Sequence, residues 1–229
     1  MSLFVGAFRI ADRGGQDMAK SHAGVWSVVR ALMKPLASDR ELPPVPGTPA
    51  DAFESLYARR PDPWGVLQSP LAQQRHLALV EVVGRYSPCA SILDVGCGEG
   101  ALTRYLVGCA GEVAGIDASS TAVHRARRLV PRATFQCCTL EAFNSDRLFD
   151  VVLAVEVLYY VQAVDVAIER LLALGRSVIV SYTNRERHRL EPYLEPYCST
   201  QQRAFYPFFG LTGFGFTVAQ LVRPSKANR

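Results

Sequence analysis

The 229-residue chain is 49% hydrophobic and carries a formal net charge of +4. This length suits one domain with an appendage, and the apolar fraction is ample for a packed core, which excludes global disorder. The basic residues form short, separate clusters instead of one stripe, so the composition argues against a nucleic-acid-binding surface. No segment approaches the roughly 18 uninterrupted apolar residues of a membrane span, and the first residues lack the basic region of a secretory signal.

The six cysteines and four histidines do not form the spacings of a metal site. There is no C-x-x-C pair, and the histidines lie far from one another in the sequence. We therefore predict no metal and reduced thiols, as in a cytoplasmic protein.

Residues 1–50 differ in composition from the rest of the chain. Residues 24–33 could form a short helix, and residues 42–49 (LPPVPGTP) contain four prolines, which is typical of a linker. We interpret 1–50 as an N-terminal extension and 51–229 as the folded domain.

The folded domain begins with helix patterns over 51–60 and 71–86, separated by a loop over 61–70. In the second helix we expect one apolar face, made of Leu71, Leu77, Leu79, Val80 and Val83.

Strand-like runs then alternate with helix-like runs. The strands are expected at 91–95, 112–117, 133–137, 149–155 and 177–182, and the helices at 101–110, 120–130 and 165–174. Continuous Val/Ile/Leu strands between helices indicate a parallel sheet covered on both faces. The tail, RAFYPFFG followed by FGFTVAQLVR, predicts an antiparallel hairpin at one edge. The expected fold is α/β: a Rossmann-like, seven-stranded, mostly parallel sheet.

The stretch ILDVGCGEG (92–100) lies at the carboxyl end of the first strand, where ligands of open α/β sheets bind. Gly96, Gly98 and Gly100 permit positive φ and let a ligand touch the main chain. Three readings are open at this point: a tight turn, a dinucleotide site, since G-x-G-x-x-A fits that fingerprint, and a site for another nucleoside.

Three carboxylates favour the last reading. Asp94 precedes the loop, Asp117 ends the second strand and Glu156 follows the fourth strand. An acid at Asp94 would repel a pyrophosphate but suits a cationic methionyl group, and an acid at Asp117 can accept hydrogen bonds from a ribose diol. The pattern therefore favours S-adenosylmethionine over a nicotinamide dinucleotide.

The order DVGCGEG, GIDAS and FDVVLAVEVLYYV resembles the class I S-adenosylmethionine-dependent methyltransferases over roughly residues 88–182. The resemblance implies that the glycine loop packs against the methionyl group and the ribose, that Asp117 holds the ribose hydroxyls, and that the segment after the third strand meets the adenine. The cofactor-binding residues expected on this basis are Asp94, Gly96, Cys97, Gly98, Gly100, Asp117, Ala118, Cys138, Thr139, Leu140 and Val155.

The segment DPWGVLQSPLAQQRH (62–76) is similar to the NodS-like N-methyltransferases, which act on chitooligosaccharide precursors. The chain keeps their D-P-W and S-P elements and a basic residue, Arg75, but has Leu71 and Ala72 where that family has an aromatic residue and a glutamate. The resemblance points to small polar acceptors such as sugars. Trp64 and Arg75 join the expected cofactor-binding residues.

Glu156 and Tyr159 are the candidate catalytic residues, because they follow the fourth strand beside the donor site. Glu156 could act as a base or contact the cofactor amine, and Trp64 could stack on a sugar, cover the cofactor or anchor the following helix. A methyltransferase acting on RNA or protein is an alternative, although no N-P-P-Y-type tetrapeptide follows the fourth strand. A non-catalytic cofactor-binding subunit is the other alternative.

Overall fold

The computed structural model describes residues 46–205 and 215–222. The N-terminal extension and linker lie almost wholly outside the described residues, as does the middle of the predicted hairpin. Within the described ranges, no helix is both long and apolar enough to cross a bilayer.

Seven strands form one mixed sheet in the order β3-β2-β1-β4-β5-β7-β6. The strands are β1 (Ser91–Val95), β2 (Glu112–Asp117), β3 (Thr134–Cys137), β4 (Phe149–Val155), β5 (Gly175–Thr183), β6 (Cys198–Phe205) and β7 (Gly215–Leu221). The first five are parallel, and β7 lies antiparallel to both β5 and β6. The predicted fold class is confirmed, with the refinement that β7 lies inside the sheet and β6 forms its edge.

The helices are α1 (Ala50–Arg59), α2 (Pro70–Gly84), α3 (Thr103–Leu106), α4 (Ser120–Leu129), α5 (Val164–Leu174) and α6 (Arg187–Leu194), followed by a 3-10 turn (Glu195–Tyr197). The helix predicted over 101–110 is much shorter than expected. Gly100 and Gly108 bracket it, and glycine favours turns over helix at these ends.

The prediction that Leu77 belongs to the buried apolar face of α2 is wrong, because Leu77 is 57% exposed. The buried stripe instead runs through Ala72, His76, Leu79 and Val83, at the i, i+4, i+7, i+11 spacing of a helix face. A histidine therefore takes a position that a leucine would normally occupy.

The site is positioned by the centre of the sheet. All five residues of β1 are buried. From β1 the sheet extends to both sides, through β2 to β3 on one side and through β4 to β5 on the other. Two apolar clusters pack on the two faces of the sheet, one containing Leu93 and Val152 and the other containing Ile92 and Leu153. In such sheets a crevice opens at the carboxyl ends of the central strands, where the order reverses.

Candidate functional site

A cavity of about 800 Å³ opens at the carboxyl ends of β1, β2 and β4. One side, here called the loop wall, is formed by residues 94–100 and 116–118. The opposite side, the helical wall, is formed by residues 47–76, from α1 through the following loop into α2. The predicted site residues that line this cavity are Asp94, Gly96, Cys97, Gly98, Asp117, Ala118, Cys138, Thr139, Leu140, Val155, Glu156, Tyr159, Trp64 and Arg75.

Gly96 and Gly98 have φ angles of +71° and +53°. A Cβ on Gly96 would lie 2.3 Å from Val157 Cγ2, and a Cβ on Gly98 would lie 2.7 Å from the Tyr57 hydroxyl. The loop therefore needs glycine both for its backbone conformation and because protein atoms approach it closely.

Gly100 differs from the other two glycines, because it is not among the cavity-lining residues. Its φ is +84°, and a Cβ there would lie 3.2 Å from Val130 Cγ2 and 3.4 Å from Ala126 Cβ. The structure thus places Gly100 against α4 and the segment after it, so this glycine permits helix packing.

Most amides of the glycine loop already have acceptors within the protein. Gly96 N and Cys97 N donate to Ile116 O at 2.8 and 3.0 Å, and Gly98 N donates to Asp117 Oδ2 at 2.8 Å. A pyrophosphate site needs free backbone N–H groups that point at the anion. In this loop the three amides instead donate to a backbone carbonyl and to a carboxylate of the protein.

Asp117, at the end of β2, accepts one backbone hydrogen bond on each oxygen. Gly98 N lies 2.8 Å from Oδ2, and Ser119 N lies 2.9 Å from Oδ1. Burial raises the pKa of Asp117, while these two donors oppose the rise. Because each carboxylate oxygen has a second lone pair, Asp117 can also accept from ligand hydroxyls in the cavity.

Asp94, in β1, is 2% exposed and accepts a hydrogen bond from the Thr103 hydroxyl at 2.7 Å. Burial raises the pKa of Asp94 to about 7, and the negative charge of Asp117 adds to the rise. A buried carboxylate of this kind becomes more stable in its ionised form when a positive charge lies close to it.

The segment after β3 contributes Cys138, Thr139 and Leu140 to the cavity. Cys138 N donates to Asp117 O at 3.0 Å, and Phe143 N donates to Thr139 O at 3.1 Å. These backbone bonds fix the segment beside the ribose-binding candidate Asp117.

Glu156 follows β4 in the left-handed conformation, with φ +59°, which is uncommon for a residue other than glycine. Its backbone N donates to Ser181 O at 2.8 Å, and its Oε2 accepts from the Tyr159 hydroxyl at 2.8 Å. The two predicted catalytic residues therefore contact each other. Arg75 Nη1 lies 3.3 Å from Glu156 Oε1, so Arg75 also contacts the predicted base.

Aromatic side chains cover the cavity beside Glu156. Trp64 Nε1 donates to the Tyr57 hydroxyl at 3.1 Å. The ring of Tyr160 lies 5.2 Å from that of Phe53, 6.0 Å from that of Trp64 and 4.8 Å from that of Tyr159. Such a surface can stack on a flat ligand or on the C–H face of a sugar ring.

Glu99, in the glycine loop, is a residue that the sequence reasoning missed. It is 6% exposed, accepts from Asp62 N at 2.9 Å and forms an ion pair with Arg125 at 2.6 Å. Glu99 thereby joins the loop wall to the D-P-W segment of the helical wall. A charged residue between Gly98 and Gly100 was the available signal.

His76 is a second cavity residue that the sequence reasoning missed. Burial, reinforced by the positive charges of Arg75 and Arg104, lowers the pKa of His76 to about 3, so its ring is neutral. The sequence feature that could have identified His76 is its position on the buried stripe of α2. That position is known only when it is known which face of the helix is buried.

The sequence profile of the family described as "NodS: Nodulation protein S (NodS)" matches residues 53–181, more than half of the chain. Nodulation protein S of Bradyrhizobium diazoefficiens is 30% identical over 106 residues, which are 45% of this chain and 51% of that protein. A ubiquinone biosynthesis O-methyltransferase of the same species is 32% identical over 101 residues, 41% of this chain and 40% of that protein. The matches thus span about half of the length of these relatives, or less.

Among solved structures, the N-methyltransferase NodS from Bradyrhizobium japonicum WM9 in complex with S-adenosyl-l-homocysteine has a TM-score of 0.66. It is 18% identical, and the superposition covers 77% of this chain and 98% of that chain. At this identity the likeness shows the fold.

Proposed function

This chain belongs to the NodS family, and on that premise we propose that it transfers a methyl group from S-adenosylmethionine to a small polar acceptor. The observation that carries the proposal is the loop wall, in which the buried carboxylate of Asp94 and the half-buried carboxylate of Asp117 flank a glycine loop whose amides have acceptors in the protein. This arrangement suits a cationic nucleoside and disfavours a diphosphate.

The cavity residues fit the parts of that cofactor. Asp117 would accept from the ribose hydroxyls, Asp94 would stabilise the positive methionyl group, and the backbone around Cys138 and Leu140 would border the adenine. When bound, the cofactor supplies an activated methyl group on a sulfonium with a good leaving group. The protein then contributes mainly proximity and alignment.

Glu156 is the residue that we propose for contact with the acceptor. Its Oε2 is held by the Tyr159 hydroxyl and its Oε1 lies near Arg75, so the carboxylate is oriented and charge-balanced. An attacking amine must be uncharged, and Glu156 is the group that would accept its proton. Tyr159 and Arg75 act as positioning residues for Glu156 in this proposal.

An amino sugar is the first acceptor to test. The aromatic surface formed by Phe53, Trp64, Tyr159 and Tyr160 can stack on a pyranose ring while Glu156 meets its amine. The NodS profile match and the retained D-P-W and S-P elements favour nitrogen over oxygen as the acceptor atom.

Calorimetric titration tests the cofactor first. We expect S-adenosylhomocysteine to bind and NAD not to bind at matched concentrations. Binding of NAD with no binding of the sulfur nucleoside would overturn the proposal.

An S-adenosylhomocysteine release assay then tests the acceptor. The matched pair is an amino sugar with a free amine and its N-acetyl counterpart, with a phenol and bulk RNA as further substrates. We expect release with the free amine alone. Release with RNA would favour the nucleic-acid alternative, and cofactor binding without release from any substrate in the panel would favour a non-catalytic subunit. We expect Glu156→Gln to bind the cofactor normally while losing most of the turnover.

A further inference from the structure

The aromatic surface of the cavity is not flat. The ring of Tyr160 is tilted by 85° to that of Phe53 and by 50° to that of Trp64. It is tilted by 56° to the ring of Tyr159, and all four residues line the cavity. A flat ligand needs one ring face, whereas rings that meet at such angles can contact one compact group from several sides. The surface therefore suits a small rounded group as well as a sugar ring stacked on one of its members.

Hydrogen bonds orient two of these rings before any ligand binds. Trp64 Nε1 donates to the Tyr57 hydroxyl at 3.1 Å, and the Tyr159 hydroxyl donates to Glu156 Oε2 at 2.8 Å. Tyr57 and Tyr159 are themselves only 5% and 3% exposed. A ligand that binds among preoriented rings does not have to order them, which lowers the free-energy cost of binding.

The cavity has an excess of negative charge. Among the described residues, six carboxylate side chains and two arginines line it. Glu99 is paired with Arg125, and Glu156 lies 3.3 Å from Arg75. Even with these pairs, and with the pKa of Asp94 raised to about 7, carboxylates outnumber guanidinium groups. The cavity therefore favours cationic ligands.

Glu156 brings this charge to the aromatic surface. Its Oε2 accepts from Tyr159, whose ring lies 4.8 Å from that of Tyr160. Its Oε1 is buried and forms no hydrogen bond among the described residues, although Arg75 Nη1 lies 3.3 Å away. A cation held among the rings would thus have both aromatic faces and a carboxylate beside it, and each of these attracts positive charge.

A methylated ammonium fits such surroundings better than a primary ammonium. A primary ammonium has three N–H donors, which need acceptors and are strongly hydrated. Aromatic rings offer faces in place of acceptors, and such faces are the usual protein surface for quaternary ammonium groups and methyl-lysine. Each methyl group replaces a donor by an apolar contact. The product of a first methylation should therefore bind here at least as well as its precursor.

We propose that the aromatic surface and Glu156 bind the acceptor nitrogen as a methylated ammonium, so that the chain adds a second methyl group to a secondary amine. This inference rests on the proposed function. The secondary ammonium gives one proton to Glu156, and the neutral nitrogen forms a bond to the methyl carbon of the sulfonium. The carbon–sulfur bond breaks and its electron pair stays on sulfur, which leaves a tertiary ammonium and S-adenosylhomocysteine. Glu156 then releases its proton to solvent.

The first experiment measures cation binding without an acceptor. Calorimetry compares tetramethylammonium with tert-butanol, a neutral molecule of similar shape, on the chain saturated with S-adenosylhomocysteine. We expect tetramethylammonium to bind and tert-butanol not to bind at the same concentrations. Tyr160→Leu and Phe53→Leu should weaken tetramethylammonium binding by about three- to thirtyfold, as for the loss of one cation–π contact. Tyr160→Phe, which keeps the ring, should retain most of it.

The matched control is Tyr193→Leu, which removes a 46% exposed tyrosine of α6 that is not among the cavity-lining residues. Thermal unfolding shows whether each variant is folded, and Phe53→Leu substitutes for Tyr160→Leu if the latter is not. Absence of tetramethylammonium binding, equal binding of the two probes, or binding that the leucine variants leave unchanged would overturn the proposal.

The second experiment follows the second transfer directly. Glucosamine and its N-methyl derivative, 2-methylamino-2-deoxyglucose, are incubated with S-adenosylmethionine, and mass spectrometry counts the methyl groups added. We expect both sugars to end as the N,N-dimethyl product, and Tyr160→Leu to lower kcat/KM about three- to thirtyfold more for the N-methyl sugar than for glucosamine.

The outcomes separate this inference from the proposed function. Turnover of glucosamine that stops at one methyl group overturns the second transfer and leaves the proposed function intact. A chain that binds S-adenosylhomocysteine but methylates neither sugar also overturns it. If the wild-type chain does not bind S-adenosylhomocysteine, the proposed function fails and this inference fails with it.

Discussion

The two walls of the cavity satisfy their polar groups in opposite ways. In the loop wall, the backbone N–H groups of residues 96–98 donate to Ile116 O and to the Asp117 carboxylate. Asp117 also accepts from the backbone N–H of Ser119, directly after the wall. In the helical wall, Arg75 Nε and His76 Nδ1 are buried without a hydrogen-bond partner among the residues that the structure describes. The difference teaches that the loop wall is preformed by its own backbone, whereas the helical wall keeps buried polar atoms that its own residues do not satisfy.

Carboxylates hold the two walls together at two points. Glu99 of the loop accepts from Asp62 N, and Glu54 of α1 accepts from Ser119 and Thr121 at the start of α4. Glu99 accepts from one backbone N–H, and Glu54 accepts from one backbone N–H and two hydroxyl groups.

Gly96→Ala should give the largest effect. Alanine is strained at φ +71°, and its Cβ would clash with Val157 Cγ2 at 2.3 Å. We expect the free energy of unfolding to fall by about 3 kcal/mol and S-adenosylhomocysteine binding to be lost, as measured by denaturant titration and calorimetry. The control is Gly84→Ala, where no atom lies within 4 Å of the added Cβ; it should be neutral or slightly stabilising. Equal effects of the two substitutions would show that the loop is not preformed.

Asp117→Ala should weaken S-adenosylhomocysteine binding by about 1–3 kcal/mol, because it removes the acceptor for the ribose hydroxyls and leaves Gly98 N and Ser119 N without theirs. Asp117→Asn keeps one acceptor oxygen and should lose less. Calorimetry checks both variants. An unchanged affinity in the alanine variant would remove Asp117 from the site.

Asp94→Asn tests the buried carboxylate of the loop wall through the pH dependence of the free energy of unfolding. The pKa of Asp94 is about 7 in the folded chain against 3.8 ordinarily, so the folded state binds more protons between these values and its stability falls as pH rises through this window. The asparagine variant lacks this titration. Its stability relative to wild type should therefore rise by up to about 1.4 kcal/mol per pH unit up to about pH 7 and then level off.

Unfolding titrations at several pH values measure this difference. His76, whose folded pKa is about 3, acts in the opposite direction, since its contribution to stability is lost as pH falls below its ordinary 6.5. That contribution is common to both proteins and cancels in the comparison. A stability difference that does not change with pH would contradict the buried, partly protonated state of Asp94.

The sequence predicts the loop wall better than the helical wall, for a physical reason. Strand ends, glycines and the acids that follow strands are local signals, so β1, β2 and β4 were predicted with their observed bounds, and every predicted loop-wall residue except Gly100 lines the cavity. Gly100 could not be separated from the others because its neighbours, Ala126 and Val130, lie far along the chain.

The helical wall depends on the rotational phase of α2 and on contacts between distant segments. The apolar residues of α2 cover more than one face, so Leu77 was expected to be buried and His76 was not considered. The pairing of Arg75 with Glu156 joins residues that are distant in sequence. Such contacts arise from tertiary packing, to which local periodicity gives no access.

Glu54→Gln should have the smallest effect and tests the connection between the walls. Hydrogen bonds from Ser119 and Thr121 lower the pKa of Glu54 to about 2, so its stabilising contribution is present above the ordinary 4.5 and is lost as pH falls toward 2. Because the side chain is partly exposed, we expect the glutamine variant to lose only about 0.5–1 kcal/mol at pH 7 and progressively less below pH 4. Asp51→Asn, in the first turn of the same helix, is the matched control. If Glu54→Gln weakens cofactor binding no more than this control does, then α1 is held to the loop wall mainly by its apolar contacts, and Glu99 becomes the main polar connection between the two walls.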